Sequence, residues 1–146
     1  MRRPTEQPGL RHRMTREKNR ISWQHDLLHV LCADLAGALS SGDAEPAQST
    51  FKHLRGALEA HFSLEEQQTF PALHGLAPGM TGDLLVLVKE HHAFADDLDR
   101  LHQAITRRDL TKSSEQLEEL VRSLRSHEAR EEALFHPADA GAKSPD

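Results

Sequence analysis

Four histidines and two glutamates lie at spacings that favour a metal site. They are His25, His61, Glu65, His91, His127 and Glu131. Imidazole and carboxylate together suit iron, and also manganese or zinc. Because one carboxylate can bridge two ions, this set would give each of two ions about two imidazoles and two bridging oxygens. Coordination positions would stay open for a solvent bridge and a small ligand.

The spacing of the four histidines repeats along the chain. His25 and His61 are 36 residues apart, and so are His91 and His127. The second histidine of each pair is followed at +4 by a glutamate of the set and at +10 by a proline. The repetition predicts two helical hairpins related by a pseudo-twofold axis.

Four helices are predicted to position these residues. Apolar residues recur at steps of three and four, the spacing of one buried helix face, and the candidate ligands lie within these stripes. The predicted helices cover residues 22–39, 46–69, 81–108 and 113–135, and residues 71–79 are predicted to be a loop. Since the connections are short, the predicted fold is all-α, an antiparallel up-down-up-down four-helix bundle.

Residue types at the predicted helix starts support these boundaries. Ser22 is a good N-cap, and Pro46 suits a first helical turn. Thr81 is the predicted cap of the third helix, while Ser113 and Gln116 form a capping-box pattern for the fourth.

The candidate ligands are expected at one height in the bundle. Gly42 lies 17 residues after His25 and 19 before His61. At a rise of about 1.5 Å per residue, these separations are about 26 and 28 Å from one shared turn. Asp109 lies 18 residues from both His91 and His127. Polar side chains that converge in a core are costly without partners, so the convergence indicates a site.

Charge divides the chain into three predicted segments. Residues 1–20 carry seven of the 18 Lys and Arg residues but only two of the 23 acids, and are predicted to be a flexible basic arm. Residues 21–137 form the predicted bundle, and residues 138–146 a C-terminal tail. Because the chain after the arm has a formal charge of −10, we expect no nucleic-acid partner.

Cysteine content and hydropathy exclude further classes. Cys32 is the sole cysteine, so an intrachain disulfide, a zinc ribbon and a CxxC redox site are excluded. The longest apolar run, residues 84–88, is too short to span a membrane. With no apolar stretch after the N-terminal arginines, we expect a cytoplasmic protein without a membrane partner.

These motifs resemble those of the hemerythrin-like HHE cation-binding domain family, over about residues 21–137. The motifs are Trp23-Gln-His25-Asp, the HxxxE of His61 to Glu65 with Phe70-Pro71, Glu90-His91, and the HxxxE of His127 to Glu131 with Glu132 and Pro137. The resemblance implies a four-helix bundle with a non-haem di-iron centre. It also implies that the six residues named first match the ligand positions.

At two positions this sequence differs from the motif pattern of the oxygen-carrying hemerythrins. Those proteins have a second histidine one turn after the third-helix ligand, where this chain has Ala95, and they end with HxxxxD, where this chain has Glu131 and Glu132. The five-histidine asymmetric site is therefore absent. This difference argues against reversible oxygen carriage and favours sensing, iron binding, or chemistry on peroxide or NO.

Three functions follow as hypotheses. The first is a di-iron protein that binds or senses O2, a related small ligand or iron itself. The second is a di-iron enzyme acting on peroxide or NO, or an iron donor for cluster repair. The third is a metal-free or zinc-bound interaction module. The ligands alone do not decide whether the protein is an enzyme, and the expected partner is a diatomic molecule or peroxide.

Neighbouring polar residues are assigned lesser roles. His29 and His92 lie on weaker faces and are expected outside the ligand set. Cys32 is expected to be a small buried residue, and Trp23 a core or end-cap aromatic. The remaining acids near the ligands are expected to be solvated, with Glu132 as the reserve ligand; they are Glu66, Glu128 and Glu132.

Overall fold

The computed structural model describes residues 8–135, and all the regular structure in this range is helical. The elements are α1 (Pro8–Ser41), α2 (Ala44–Leu64), a π-helical turn (Glu65–Thr69), α3 (Phe70–Leu76), a 3-10 turn (Pro78–Met80), α4 (Thr81–Thr106) and α5 (Leu110–Phe135). The all-α prediction is confirmed, and the four long helices are consistent with a four-helix bundle. The predicted tail and the first seven residues of the predicted arm lie outside the described range.

The four long helices pack around two apolar clusters. Helix α1 packs against α2 and α5, and α4 packs against α2 and α5. The larger cluster includes Leu28, Leu58 and Leu124, and the smaller one includes Leu87. Along α4 the buried residues pass from Leu87 through His91 to the larger cluster, so the candidate ligands form a polar layer between the two clusters. In the described part of the chain, no helix has both the length and the apolar content that crossing a bilayer requires.

Helix α1 begins at Pro8 rather than near Ser22, so the described part of the predicted arm is helical. The apolar stripe of α1 continues toward the N-terminus at steps of three and four, through Ile21, Glu17 and Met14. Ile21 and Glu17 are buried, and Met14 packs against the smaller cluster. The prediction of a flexible arm missed this extension because the stripe passes through a charged residue, whose carboxylate pairs with Arg20.

The prediction of a loop over residues 71–79 was wrong, because the chain stays helical through most of that segment. Helix α3 runs from Phe70 to Leu76, and Pro71 lies in its first turn. The fixed φ of proline, about −65°, is compatible with a helical conformation at this position. Hydrogen bonds in the π-helical turn before it span five residues instead of the four of an α-helix. Accordingly, the N–H of Phe70 donates to the carbonyl of Glu65.

The connection between α4 and α5 is tighter than predicted. Helix α5 begins at Leu110, and the N–H of Lys112 donates to a side-chain oxygen of Asp109 at 3.1 Å. Asp109 therefore caps α5, and the capping box predicted at Ser113 was wrong. Arg108, just before the cap, has φ 60°, the left-handed conformation in which helices often end.

Candidate metal centre

All six candidate ligands are buried in the polar layer and converge on one another. Their ligand atoms form two groups of four, and the atoms of each group lie within 4.8 Å of one another. The first group is His25, His61, Glu65 and Glu131; the second is Glu65, His91, His127 and Glu131. The two glutamates belong to both groups. Each group could therefore hold one cation, and the two groups share two carboxylates.

Each histidine turns its Nε2 atom toward a shared glutamate. The distances are 3.0 Å for His25–Glu131, 3.0 Å for His91–Glu65, 3.4 Å for His61–Glu65 and 3.5 Å for His127–Glu131. With metal–ligand bonds of about 2.1 Å, two ligand atoms at right angles would lie about 3.0 Å apart. The spacing thus matches nitrogen and oxygen atoms that share one ion.

Several polar atoms in this layer have no hydrogen-bond partner among the described residues. They are His61 Nε2, His127 Nε2, Glu65 Oε2 and Glu131 Oε2. A buried polar atom without a partner costs about 1–3 kcal/mol, and a charged one costs more. Cations bound between these nitrogens and oxygens would satisfy all four atoms, so the residues present fit a metal pair.

The ionisation of the layer also suits cation binding. Burial lowers the pKa of His61 from 6.5 to about 4, although the carboxylate of Glu65 opposes this shift. Burial raises the pKa of Glu65, but the neighbouring imidazoles of His127, His91 and His61 outweigh it and bring that pKa to about 2. A neutral imidazole and an ionised carboxylate are the forms that bind metal. No proton therefore has to leave these two side chains at neutral pH before a cation binds.

Three of the four histidines are also held at their second ring nitrogen. The Nδ1–H of His61 donates to Oε1 of Gln24 at 2.6 Å. The equivalent bond of His91 reaches Oε2 of Glu66 at 2.7 Å, and that of His127 reaches Oε1 of Glu90 at 2.8 Å. A hydrogen bond at Nδ1 fixes the ring orientation and leaves the Nε2 lone pair for a metal. We did not predict these three partners from the sequence.

The signal for these partners was present in the sequence. Gln24 immediately precedes His25, Glu66 follows Glu65, and Glu90 precedes His91. A polar residue next to a ligand lies about 100° around the helix, where it faces the neighbouring helix. The expectation that Glu66 is solvated is only half right, since it is exposed yet also accepts a hydrogen bond from His91.

The π-helical turn helps to position one shared carboxylate. Glu65 is the first residue of the turn and is fully buried, and Thr69 in the same turn is also buried. π-helical turns occur frequently at functional sites. The sequence clue is Pro71, which has no N–H with which to continue the regular helical bonding.

Two further histidines lie outside both ligand groups. His92 is exposed on α4. His29 is partly buried, and its Nε2 lies 2.7 Å from Oε1 of Glu128. Glu128 was expected to be solvated, but it is buried because it faces α1, where His29 pairs with it. Glu132 is exposed and belongs to neither group.

Two other expectations on α1 had opposite outcomes. Cys32 is buried, and burial raises the pKa of its thiol to about 11, so it is a small core residue as predicted. Trp23 is 65% exposed, and the prediction of a core or end-cap role was wrong. Ile21 and His25 mark the buried face of α1, and Trp23, which lies between them in the sequence, points to a different side of the helix.

Comparison with protein families gives one match. The hemerythrin HHE cation-binding domain matches residues 19–138, a range that contains all six candidate ligands. Neither the curated proteins nor the solved structures include a match to this chain.

Proposed function

The chain belongs to the hemerythrin HHE cation-binding domain family, and we propose that it is a non-haem di-iron protein that binds or senses O2, a related small ligand or iron itself. The observation that carries this proposal is that two groups of four ligand atoms share Glu65 and Glu131. Isolated structural zinc sites use four ligands around one ion, whereas shared carboxylates serve a pair of ions. Mixed imidazole and carboxylate ligands suit iron.

In this proposal the six buried residues are the metal ligands. His25 and His61 would hold one ion, His91 and His127 would hold the other, and the two glutamates belong to both groups. Bound iron would supply a redox-active pair of ions with positions open to a small molecule. The chain itself would hold the ions, and it orients three of the four imidazoles through their Nδ1 bonds and buries the layer away from water.

Aromatic rings form an apolar surface that excludes water beside the second ion position. The ring of Phe62 stacks on His91 with centroids 4.1 Å apart, and Phe70 stacks on the same imidazole at 5.7 Å. Phe94 meets the ring of His127 edge-on at 5.4 Å. Apolar surroundings around metal ligands limit the access of water and strengthen electrostatic interactions with the ions.

We also propose that the long helices alternate in direction, as in an up-down-up-down bundle. Contacts between α2 and α4 support this arrangement, since Phe51 lies near His102 whereas Phe62, further along α2, lies near His91, earlier on α4. Short connections at residues 42–43 and 107–109 join α1 to α2 and α4 to α5. Short connections between long packed helices are typical of antiparallel neighbours.

The equal number of histidines in the two ligand groups favours a second candidate function. Each ligand group contains two histidines, whereas Ala95, one turn after His91, supplies no further imidazole. Two ions of similar coordination can both offer open positions, which suits an enzyme acting on peroxide or NO, or a donor of iron for cluster repair. This candidate uses the same ligands as the first.

Anaerobic reconstitution with Fe(II), followed by optical spectra under O2, peroxide and NO, tests the proposal. A spectral change with O2 that reverses when O2 is removed would support binding or sensing. Turnover of peroxide or NO above the rate with free iron would support the enzyme. The double variant Glu65→Gln, Glu131→Gln, which lacks both shared carboxylates, should show neither response. Protein that takes up no iron would contradict both candidates. Bound iron that responds to none of the three molecules would contradict the binding of a small ligand and the turnover of peroxide or NO.

A further inference from the structure

The Nδ1 atoms of the second ligand group both face carboxylates. His91 donates to Glu66 at 2.7 Å, and His127 donates to Glu90 at 2.8 Å. Arg130 forms an ion pair with the other oxygen of Glu90, so it holds this carboxylate in place against His127. Both imidazoles of this group are therefore hydrogen-bonded to anions.

The first ligand group lacks such anions. The Nδ1–H of His61 donates to the neutral amide oxygen of Gln24 at 2.6 Å. No described residue accepts a hydrogen bond from Nδ1 of His25. The nearby buried carboxylate of Glu128 bonds to His29 instead of to a ligand imidazole. The ligands themselves therefore repeat between the two groups, but the acceptors of their Nδ1 hydrogen bonds do not.

An anionic acceptor makes an imidazole a stronger electron donor to a metal. Replacement of such outer partners changes metal affinity by about 10–100-fold. We therefore propose, on the basis of the two-metal function above, that the two positions differ in affinity and fill in order. The position at His91 and His127 binds its ion first and more tightly. The position at His25 and His61 fills second and is the exchangeable one, so its occupancy follows the supply of metal.

Titration of metal-free protein with Co(II), followed by its optical absorption, tests this order. Repulsion between two bound cations also separates the binding steps, so variants have to assign each step to its position. Replacement of a supporting carboxylate, in Glu66→Gln or Glu90→Gln, should weaken the tighter step by about tenfold and leave the weaker step within about twofold. The reverse change, Gln24→Glu, should strengthen the weaker step by about tenfold.

Matched controls separate these local effects from a general change in charge. Glu59 and Gln48 are exposed on α2 and belong to neither ligand group, so Glu59→Gln and Gln48→Glu should leave both steps unchanged. Because Glu66 is exposed and Gln24 only partly buried, their variants are expected to fold, and circular dichroism of the metal-free proteins checks this.

Ligand variants identify the positions directly. His127→Ala should abolish the tighter step, and His25→Ala should abolish the weaker one. If Gln24→Glu leaves the weaker step unchanged, or if the Glu66 and Glu90 variants weaken both steps equally, the proposed order is wrong even though two ions still bind. If wild-type protein binds only one Co(II) per chain, the two-metal function itself fails.

Discussion

Nε2 of His25 lies 3.0 Å from Oε1 of Glu131, although 106 residues separate them in the sequence. The contact joins α1 to α5. An equivalent contact joins His91 to Glu65, also at 3.0 Å. Each residue of the second contact is displaced by 66 positions from its counterpart in the first. The repeat in the sequence is therefore retained in the contacts that face the candidate ions.

Replacement of His25 and of His29 should have different effects on iron content. His25 belongs to a ligand group, whereas His29 pairs with Glu128 outside both groups. We expect His25→Ala to lose about half of the bound iron, because one of two ions loses an imidazole. His29→Ala should retain nearly all of it. Iron per chain, measured side by side after reconstitution, checks this. A variant of His29 that empties the site while His25→Ala does not would show that the ligand on α1 is misassigned.

Removal of metal should lower the melting temperature. Without ions, polar atoms of His61, His127, Glu65 and Glu131 stay buried without partners. Binding at 100 times the dissociation constant stabilises a fold by about 2.7 kcal/mol, which suggests a shift of at least about 5 °C. Thermal unfolding with and without a chelator measures it. The double variant Glu65→Gln, Glu131→Gln serves as the control and should not respond to the chelator. Equal melting of metal-free and metal-bound wild type would indicate a purely structural role.

The metal-free protein should lose stability in mild acid. Burial lowers the pKa of His61 from 6.5 to about 4. The unfolded chain therefore takes up a proton near pH 6.5, whereas the folded chain does so only near pH 4. Stability is complete above this range and falls as pH decreases through it, by up to about 3 kcal/mol.

Urea denaturation of metal-free protein at several pH values between 6.5 and 4.5 measures this dependence. His61→Gln should flatten the curve, since glutamine does not titrate. His53→Gln, at an exposed position on α2, should leave the slope unchanged. A wild-type curve that is flat over this interval would show that His61 is not held neutral by burial.

Substitution of Arg108 should stabilise the fold. Arg108 has φ 60° at the end of α4, a conformation that glycine adopts without steric strain. We expect Arg108→Gly to raise the free energy of unfolding by about 0.5–1 kcal/mol. Arg107, with φ −79°, gains no such relief, and Arg107→Gly should lower that free energy by about 0.5 kcal/mol. Denaturant unfolding of both variants decides the matter, and a loss of stability in Arg108→Gly would refute the expectation.

The convergence of the six candidate ligands could be predicted from the sequence because each one continues an apolar stripe. Leu28 and Leu35 fix the buried face of α1, and His25 lies on that face. Equal distances from shared turns then predict that histidines on different helices reach one height. The structure brings these residues together, and it confirms the all-helical class.

The supporting contacts could not be predicted in the same way. Helical periodicity shows which side of a helix is buried, but it does not show which polar neighbour reaches the second nitrogen of an imidazole on another helix. Glu90 and Gln24 both precede a ligand histidine, yet each bonds to a histidine on a different helix. Glu128 looked solvated because its own helix has charged neighbours, and only the packing of α1 against α5 shows its burial.

Two helix boundaries were predicted wrongly because a residue near each one is compatible both with the end of a helix and with its continuation. Pro71 ends a regular helix in most contexts, but here it lies in the first turn of α3 after a π-helical turn. Glu17 interrupted the apolar pattern of the predicted arm, although its buried carboxylate pairs with Arg20 within α1.

The number of iron ions bound per chain is the most direct test of the two-metal site. Metal-free protein is reconstituted anaerobically with excess Fe(II), freed of unbound metal, and analysed for iron and protein concentration. Two groups of ligands that share Glu65 and Glu131 predict about two irons per chain, and fewer than about one in the double variant Glu65→Gln, Glu131→Gln. One tightly bound zinc with no second metal, or no iron at all in correctly folded wild type, would contradict the account.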